Sequence, residues 1–578
     1  MNSLRTAKRF VFPLLGLWVL LYASFSLIKP PLVDGPDAVN AEAAREMAVT
    51  GDWIIPHING VRSPGTPPLL IWATAACFRA FGVSDHTARI PLALALLALF
   101  ALTLTLGSRL FLTPVAGFYA ALILVTSCGI FLFGHLLFPV ILLSLWLTLA
   151  IYFFWRSLRT HSWQTSVGFG AACALSFLSK GLAGIVLPVG IVLLFLFYTN
   201  NLQHLARWRP AAGIGVFLLI IIPWMVAAFR ATPPARFLVP AHPVARVPVV
   251  LFWALVLVWI TPWFLFSLAA FGRLSARFFT RRTDLDHTDQ AILLLVLWAG
   301  LVVVLYTFSP RQEYYSLPAL PALSLLAAGW LAADEHHPSR LSRIFAWILF
   351  VAGVLKAAVF AVLAFRAPIP PQGTDIATLL HLHPGQHRLF FGYLFDLSIA
   401  SMGAFRIPLL ITAAALLVGV TANLVFRLKG KARMANCFLA GMMVFVLISV
   451  HLALNTFSPV VSSAILAEAI KPEVNSGDVI VVNGAYEDAS ALPFYLERQV
   501  KLLERRPDIL APWSFAPDAP TIFLNHTDLG TLWQSQTRVF LWTPDISVPA
   551  LTGPTYIIAR DGGREIISNQ PNNGGAAF

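Results

Sequence analysis

Two carboxylates close together at the mouth of a membrane are the first chemical signal in this chain. Asp34-Gly-Pro-Asp37 lies just beyond the first apolar run, at the head of a polar first loop, 29–88. A carboxylate held there can act as a general base, taking a proton from an attacking hydroxyl while a phosphate-linked group departs. The same tetrad also reads as a solvated turn, because Asp, Gly and Pro each favour tight turns. Glu42 and His57 follow in the same loop as further candidates. A single imidazole with no second donor at ligand spacing makes a poor metal site.

The second set is cationic and aromatic. Lys180, Arg246, Arg311, Glu313, Tyr314 and Tyr315 all fall at the outer ends of apolar runs. Together they suit an anionic lipid head group, since ammonium and guanidinium groups form charge-assisted hydrogen bonds to phosphate. Each has a plainer reading: long cations snorkel to the interface, and tyrosines populate the aromatic belt. Lys356 differs in lying inside an apolar run, where it either faces a cavity or snorkels outward. His381, His383 and His387 cluster in a later loop without acidic partners at ligand spacing. Cys77, Cys128, Cys173 and Cys437 are scattered, so no metal site is assigned.

These residues need a scaffold, and composition says which kind. The 578 residues are 58% hydrophobic and 12% charged, far more apolar than a soluble domain. Apolar runs near 10–28, 89–112, 114–134, 137–155, 164–180, 181–199, 210–229, 247–271, 290–308, 314–333, 344–365, 407–426 and 436–456 predict about thirteen transmembrane helices. With the amino terminus inside, Arg5, Lys8, Arg9, Arg156, Arg159, Arg281, Arg282, Lys429 and Lys431 fall in inner loops, as the positive-inside rule requires. That asymmetry accounts for much of the net charge of +13 without nucleic acid, because the basic residues form no stripe interleaved with aromatics.

An odd number of spans places the carboxyl terminus outside. The expected organisation is a transmembrane domain, 1–457, followed by an external α/β domain, 458–578. That tail reads as a helix over Ala464–Ile470 and short strands within 478–483, 521–525, 538–542 and 556–559, bounded by Gly, Pro, Asn and Asp. Residues 569–578, rich in Asn, Gly and Ala, are expected to be disordered. In the first loop, 41–47 and 69–78 read as amphipathic helices lying on the outer leaflet.

The ordered motifs carry a family resemblance. Asp34-Gly-Pro-Asp37, Gly51-Asp-Trp-Ile-Ile-Pro-His57, Pro67-Pro-Leu-Leu-Ile-Trp72, Ala88-Arg-Ile-Pro91, Leu178-Ser-Lys-Gly181 and Ser309-Pro-Arg-Gln-Glu-Tyr-Tyr315 resemble, in order, the aminoarabinose transferase and protein mannosyltransferase-like families. These are integral-membrane glycosyltransferases using polyprenyl-phosphate sugars. The resemblance implies a GT-C fold: an all-α polytopic domain of about thirteen spans, external helices in the first loop and a small carboxyl-terminal α/β domain. It further implies a polyprenyl-phosphate-linked sugar donor, a lipid A-like, glycolipid or protein acceptor, and a site on the periplasmic face of a bacterial inner membrane. Asp37 or Asp34 would be the base, while Lys180, Arg246, Arg311, Tyr314 and Tyr315 would hold the donor phosphate. No cofactor is assigned, and a divalent metal is left open.

The chain also departs from the family pattern. The family's Asp-Glu-Ala-Arg-Tyr pentad falls on Pro36, Asp37, Ala38, Val39 and Asn40, so the catalytic Asp position holds proline. The Glu-Lys pair before the double proline becomes Gly65-Thr66, and a neutral Thr cannot replace an ammonium at a phosphate. Around His135–Val140 the family carboxylate is missing, and the segment ending at Arg246 is shortened. These losses sustain an alternative: a catalytically degenerate relative that binds lipid-linked sugars or scaffolds envelope assembly.

Overall fold

The computed structural model describes residues 2–24, 31–160, 162–233, 247–278, 285–371, 373–380, 392, 396–504, 509–510, 513–514, 519–544 and 551–572. Arg246, Arg281, Arg282, His381, His383, His387 and the tail beyond 572 lie outside these residues.

All thirteen apolar runs fold as helix, but not all as simple spans. Among the described residues, eight helices are long and apolar enough to cross a membrane, or ten if each bent pair counts as one span. The run 114–134 breaks after Val125 with a bend of 55°, and the run 247–271 breaks after Trp259 with a bend of 102°. Phe10–Ala23 and Ala183–Tyr198 are apolar but shorter, below the roughly 20 residues that a hydrocarbon core demands. The Trp163–Lys180 helix has Gln164, Thr165 and Ser166 in its first turn and is not among the eight. The protein is therefore a multi-span membrane protein with irregular helices.

Helix starts follow ordinary capping chemistry. Ser84 accepts from Thr87 N ahead of Asp85–Leu110, Asp286 from Asp289 N ahead of His287–Phe308, and Ser339 from Ser342 N ahead of Arg340–Arg366. Each cap satisfies an amide that the helix itself leaves unpaired.

In the first loop the Leu69–Phe81 helix keeps an exposed face at Ala76, Arg79, Ala80 and Phe81, whereas the Pro36–Thr50 helix is enclosed. The latter starts on Gly35, at φ +92°, with Pro36 in the first turn, and stops on Gly51 in the left-handed region. From Asp37 to Met47 every residue except Asn40 is buried. An interfacial helix would keep a wet face; this one is covered because the Leu69–Phe81 helix and the Ala491–Leu496 helix pack against it. Between them, β1 (His57–Ile58) and β2 (Val61–Arg62) form an antiparallel hairpin. Asn59 and Gly60 turn it with φ of 53° and 76°, the pair of positive φ values that a tight primed turn needs.

The long Ala432–Val461 helix leads into the tail. Helix Ala464–Ile470 precedes a six-stranded sheet of β3 (Val479–Val482), β4 (Lys501–Leu503), β5 (Phe523–Leu524), β6 (Val539–Pro544), β7 (Tyr556–Asp561) and β8 (Arg564–Ser568). The spatial order is β5-β4-β3-β6-β8-β7, parallel from β5 to β6 and antiparallel through β8 and β7. Alternation divides its faces. Val481, Leu503, Val539, Leu541 and Ile567 pack on Leu529 and Trp533 of the His526–Gln534 helix. Ile480, Val482, Leu502, Phe540, Trp542 and Ile566 instead join the hydrophobic core shared with the membrane helices. Asn569 does not begin a disordered tail: it is buried, donates to Trp533 O and Thr537 O, and accepts from Val539 N. Its amide closes the end of β6, which is why its polar composition did not free it.

Candidate functional site

Both first-loop carboxylates are enclosed by hydrogen-bond donors. Asp34 Oδ2 accepts from Ser463 N, Ser463 Oγ and Arg564 Nη1, each at 2.7 Å, and Oδ1 accepts from Ala491 N at 2.8 Å. Its side chain is 5% exposed. Burial pushes its pKa up, opposed by the Arg564 guanidinium and these hydrogen bonds. Asp34 therefore joins the first loop to the tail. The joint continues through Asp34 N to Val461 O, Gly35 N to Ser490 Oγ, and Ser462 Oγ to Leu32 O. The segment 486–496 supplies Ser490 and Ala491 to it.

Asp37 is fully buried at the start of its helix. Oδ2 accepts from Val33 N at 2.9 Å, and Oδ1 accepts from Leu137 N at 2.8 Å. Arg89 Nη2 lies 3.9 Å away. Burial again raises the carboxyl pKa, with Arg89 the largest opposing influence. Arg89 is itself buried and donates to His135 O and Pro31 O. Its place in Ala88-Arg-Ile-Pro91 was visible in the sequence, but its pairing with Asp37 was not, since the two lie 52 positions apart.

The 135–139 turn links Asp37 to the second residue set. Asn40 Nδ2 donates to Leu137 O at 2.8 Å, and Phe138 stacks on Tyr314 with centroids 4.4 Å apart. Tyr314 meets Tyr315 edge to face at 5.0 Å, and Tyr315 lies 4.9 Å from Tyr306. Lys180 ends the Trp163–Lys180 helix with its ammonium 4.5 Å from the Tyr315 ring centroid and 3.4 Å from its hydroxyl. Both side chains are half-buried. A cation held over an aromatic face at the end of a helix is preorganised yet keeps donors free for an anion.

The remaining candidates have other duties. Arg311 Nε donates to Val247 O at 2.9 Å, Nη1 donates to Thr307 O, and Val247 N donates back to Arg311 O. That guanidinium braces the strand-like entry to Val249–Trp259 against the end of His287–Phe308. Glu313 is buried, and its carbonyl accepts from Trp259 Nε1. Glu42 forms a two-point pair with Arg45 at 2.6 and 2.7 Å. Next to it, Glu46 accepts from Gly60 N with both oxygens, and burial together with Glu42 pushes its pKa up to about 8. His57 Nε2 lies 3.9 Å from Asp52. Among the described residues no three His, Cys, Asp or Glu side chains form a metal-sized group.

The structure thus brings together Lys180, Tyr314 and Tyr315, reaches Asp37 through Phe138, and leaves Asp34, Glu42 and His57 in the loop-to-tail joint and its surroundings. Sequence reasoning missed Arg564, which sits 530 positions from its partner. No local pattern marks it.

Comparison with known proteins agrees with this architecture. Residues 65–226 match a family model described as dolichyl-phosphate-mannose-protein mannosyltransferase. An undecaprenyl phosphate-alpha-4-amino-4-deoxy-L-arabinose arabinosyl transferase of Aeromonas salmonicida is 26% identical over 373 residues, covering 61% of this chain and 65% of the relative. Its counterpart in Edwardsiella ictaluri is 30% identical over 229 residues, 38% of this chain and 41% of the relative. The matched stretch therefore spans just under two thirds of the first relative's length. The crystal structure of ArnT from Cupriavidus metallidurans in the apo state has a TM-score of 0.78 at 21% identity, covering 99% of each chain. The same protein bound to undecaprenyl phosphate has a TM-score of 0.77 at 20% identity, covering 97% of this chain and 98% of that one. The fold is that of ArnT, the GT-C architecture, tail sheet included, and the sequence resembles the aminoarabinose transferases.

Proposed function

We propose that this protein is an integral-membrane glycosyltransferase of the GT-C type, taking a sugar from a polyprenyl-phosphate donor on the outer face of the bacterial inner membrane. The observation that carries this reading is Lys180 over Tyr315, a half-buried cation at the outer end of a helix. It occurs in a fold shared along nearly the whole chain with a protein bound to undecaprenyl phosphate. Lys180 would hold the phosphate, with Tyr315 beside it. Arg311 would brace the adjoining segment, and Arg246, which lies outside the described residues, would be a further phosphate ligand. The amino terminus would be cytoplasmic and the tail domain, from about the end of the Ala432–Val461 helix, periplasmic.

In the reaction, an acceptor oxygen on a lipid A-like lipid, another glycolipid or a protein attacks the anomeric carbon. The bond from that carbon to the phosphate oxygen breaks, polyprenyl phosphate leaves, and a base takes the acceptor proton. Asp37, linked to Tyr314 through Leu137 and Phe138, would serve as that base once the 135–139 turn releases one of its oxygens. Asp34 is the second candidate, conditional on separation from Arg564.

A specific observation favours a second reading, in which the protein binds lipid-linked sugar without turnover. Both Asp34 and Asp37 already accept from buried donors with both oxygens, and Pro36 stands at the family's Asp position. The test is to give purified protein radiolabelled undecaprenyl-phosphate sugars and membrane acceptors, comparing wild type with Asp37→Asn, Asp34→Asn and Lys180→Ala. Turnover lost in Asp37→Asn with donor binding retained supports the transferase. Turnover unaffected by both Asp changes sinks the carboxylate assignment. Donor binding that depends on Lys180, with no turnover in wild type, establishes the second reading.

A further inference from the structure

Lys356 belongs to no part of the site just described. It lies on the Arg340–Arg366 helix, ten residues before Arg366 and sixteen after Arg340. At about 1.5 Å per residue it sits about 15 Å below the outer end, near the middle of a hydrocarbon core about 30 Å thick. Its side chain reaches only part of that way, so snorkelling does not bring the ammonium to water. Only 22% of this span's apolar window is buried inside the protein, and Lys356 is on the exposed side. The flank beside it, about 60° round the helix, packs inward: Gly353 meets Val420 so closely that an added Cβ would lie 2.5 Å from its Cγ1. Lys356 has no hydrogen bond or ion pair among the described residues.

A cation facing hydrocarbon without a partner is costly and is tolerated where something else neutralises it. We propose that the outward face of the Arg340–Arg366 helix docks a transmembrane helix of a different membrane protein, one that carries an Asp or Glu at the depth of Lys356. Beside the lysine, at three and four residues' spacing, the exposed surface is Val359 and Ala352, and the alanine allows close helix approach. A second copy of this chain does not fit. In the eight spans the acidic residues are Asp85, Asp289, Glu313, Asp334 and Glu335, all within three residues of a span end. The partner must therefore supply the mid-depth carboxylate.

The test uses the full chain with a carboxyl-terminal fluorescent tag in phosphatidylcholine proteoliposomes. The probes are synthetic 23-residue leucine-alanine transmembrane peptides (a length spanning about 35 Å) with a central Glu, Gln or Leu. Energy transfer to the Glu peptide is expected at a peptide concentration at least about tenfold lower than to the Leu peptide. Lys356→Leu should abolish that preference, and Lys356→Glu should transfer it to a peptide with a central Lys. Equal transfer from Glu and Leu peptides in wild type overturns the proposal, as does a preference that survives Lys356→Leu. Lys356→Leu should also leave the Tm unchanged or raise it; a fall would show that Lys356 is paired within this chain and would overturn the proposal as well.

Discussion

The Asp34–Arg564 pair at the loop-to-tail joint and the Lys180–Tyr315 pair at the end of the Trp163–Lys180 helix both carry charge, yet they are built for opposite purposes. Asp34 accepts four hydrogen bonds and is 5% exposed. Lys180 is half-buried, with an aromatic face and one long contact to a hydroxyl. A fully satisfied buried charge fastens, because removing any donor leaves an uncompensated ion. A preorganised but incompletely satisfied charge can still receive a ligand. Arg427 stands between the two kinds: Nη1 donates to Asp334 at 2.8 Å and Nη2 donates to Asn436 at 2.5 Å, while its buried Nε has no partner among the described residues. Saturation therefore separates fastening from binding more sharply than charge or position does.

The largest expected effect comes from breaking the saturated pair. Arg564→Ala strands Asp34 beneath the tail sheet and should lower stability by about 3–5 kcal/mol, read as a fall in Tm in detergent. Limited proteolysis should then release the tail from the membrane domain. Asp34→Asn with Arg564→Ala should recover part of the loss, because the orphaned charge is gone.

Breaking the open pair should do the reverse. Lys180→Ala should weaken undecaprenyl phosphate binding by about tenfold or more, the cost of one charge-assisted hydrogen bond, while moving stability by less than about 1 kcal/mol. A large loss of stability with unchanged lipid affinity would place Lys180 among the fasteners.

The Glu42–Glu46 pair sharpens the contrast through pH. Glu46 has its folded pKa raised from 4.5 to about 8. Its stabilising form is the protonated one, so its contribution is fully present below pH 4.5 and is lost as pH rises through about 8. Wild-type stability should fall across that window by at most about 1.4 kcal/mol per pH unit. Glu46→Gln should flatten the profile in thermal melts from pH 5 to 8.

The smallest effect concerns the hairpin that Glu46 holds. Gly60→Ala places a Cβ 2.3 Å from Gln499 Nε2 at a φ of +76°. A loss of about 1–2 kcal/mol is expected, visible as faster proteolysis between the first loop and the tail.

Much of the fold could be read in advance because it depends on local patterns. Apolar runs marked the long membrane helices, and the tail helix Ala464–Ile470 and four of its strands were visible from turn residues and β-branched runs, while the tail helix His526–Gln534 was missed. β4 and β8 were missed. Lys501–Leu503 is too short to alternate, and Arg564-Glu565 places charge at the head of β8. Asn59-Gly60 was a readable hairpin signal that went unused beside the stronger helical pattern around it. The enclosure of the Pro36–Thr50 helix was not legible because one of its two covering helices, Ala491–Leu496, lies in the tail, far along the chain.

Composition and periodicity were enough to mark a multi-span membrane protein with an α/β tail and charged candidates near its helix ends, since each follows from hydrophobic length and turn chemistry along the chain. Tertiary structure alone decided which charges are closed and which remain open. Asp34 and Asp37 became fasteners through donors at Ser463, Ala491, Arg564 and Leu137, while Lys180 kept its capacity to bind. Saturation of a charge depends on groups brought together across the fold, and that is information a linear sequence does not carry.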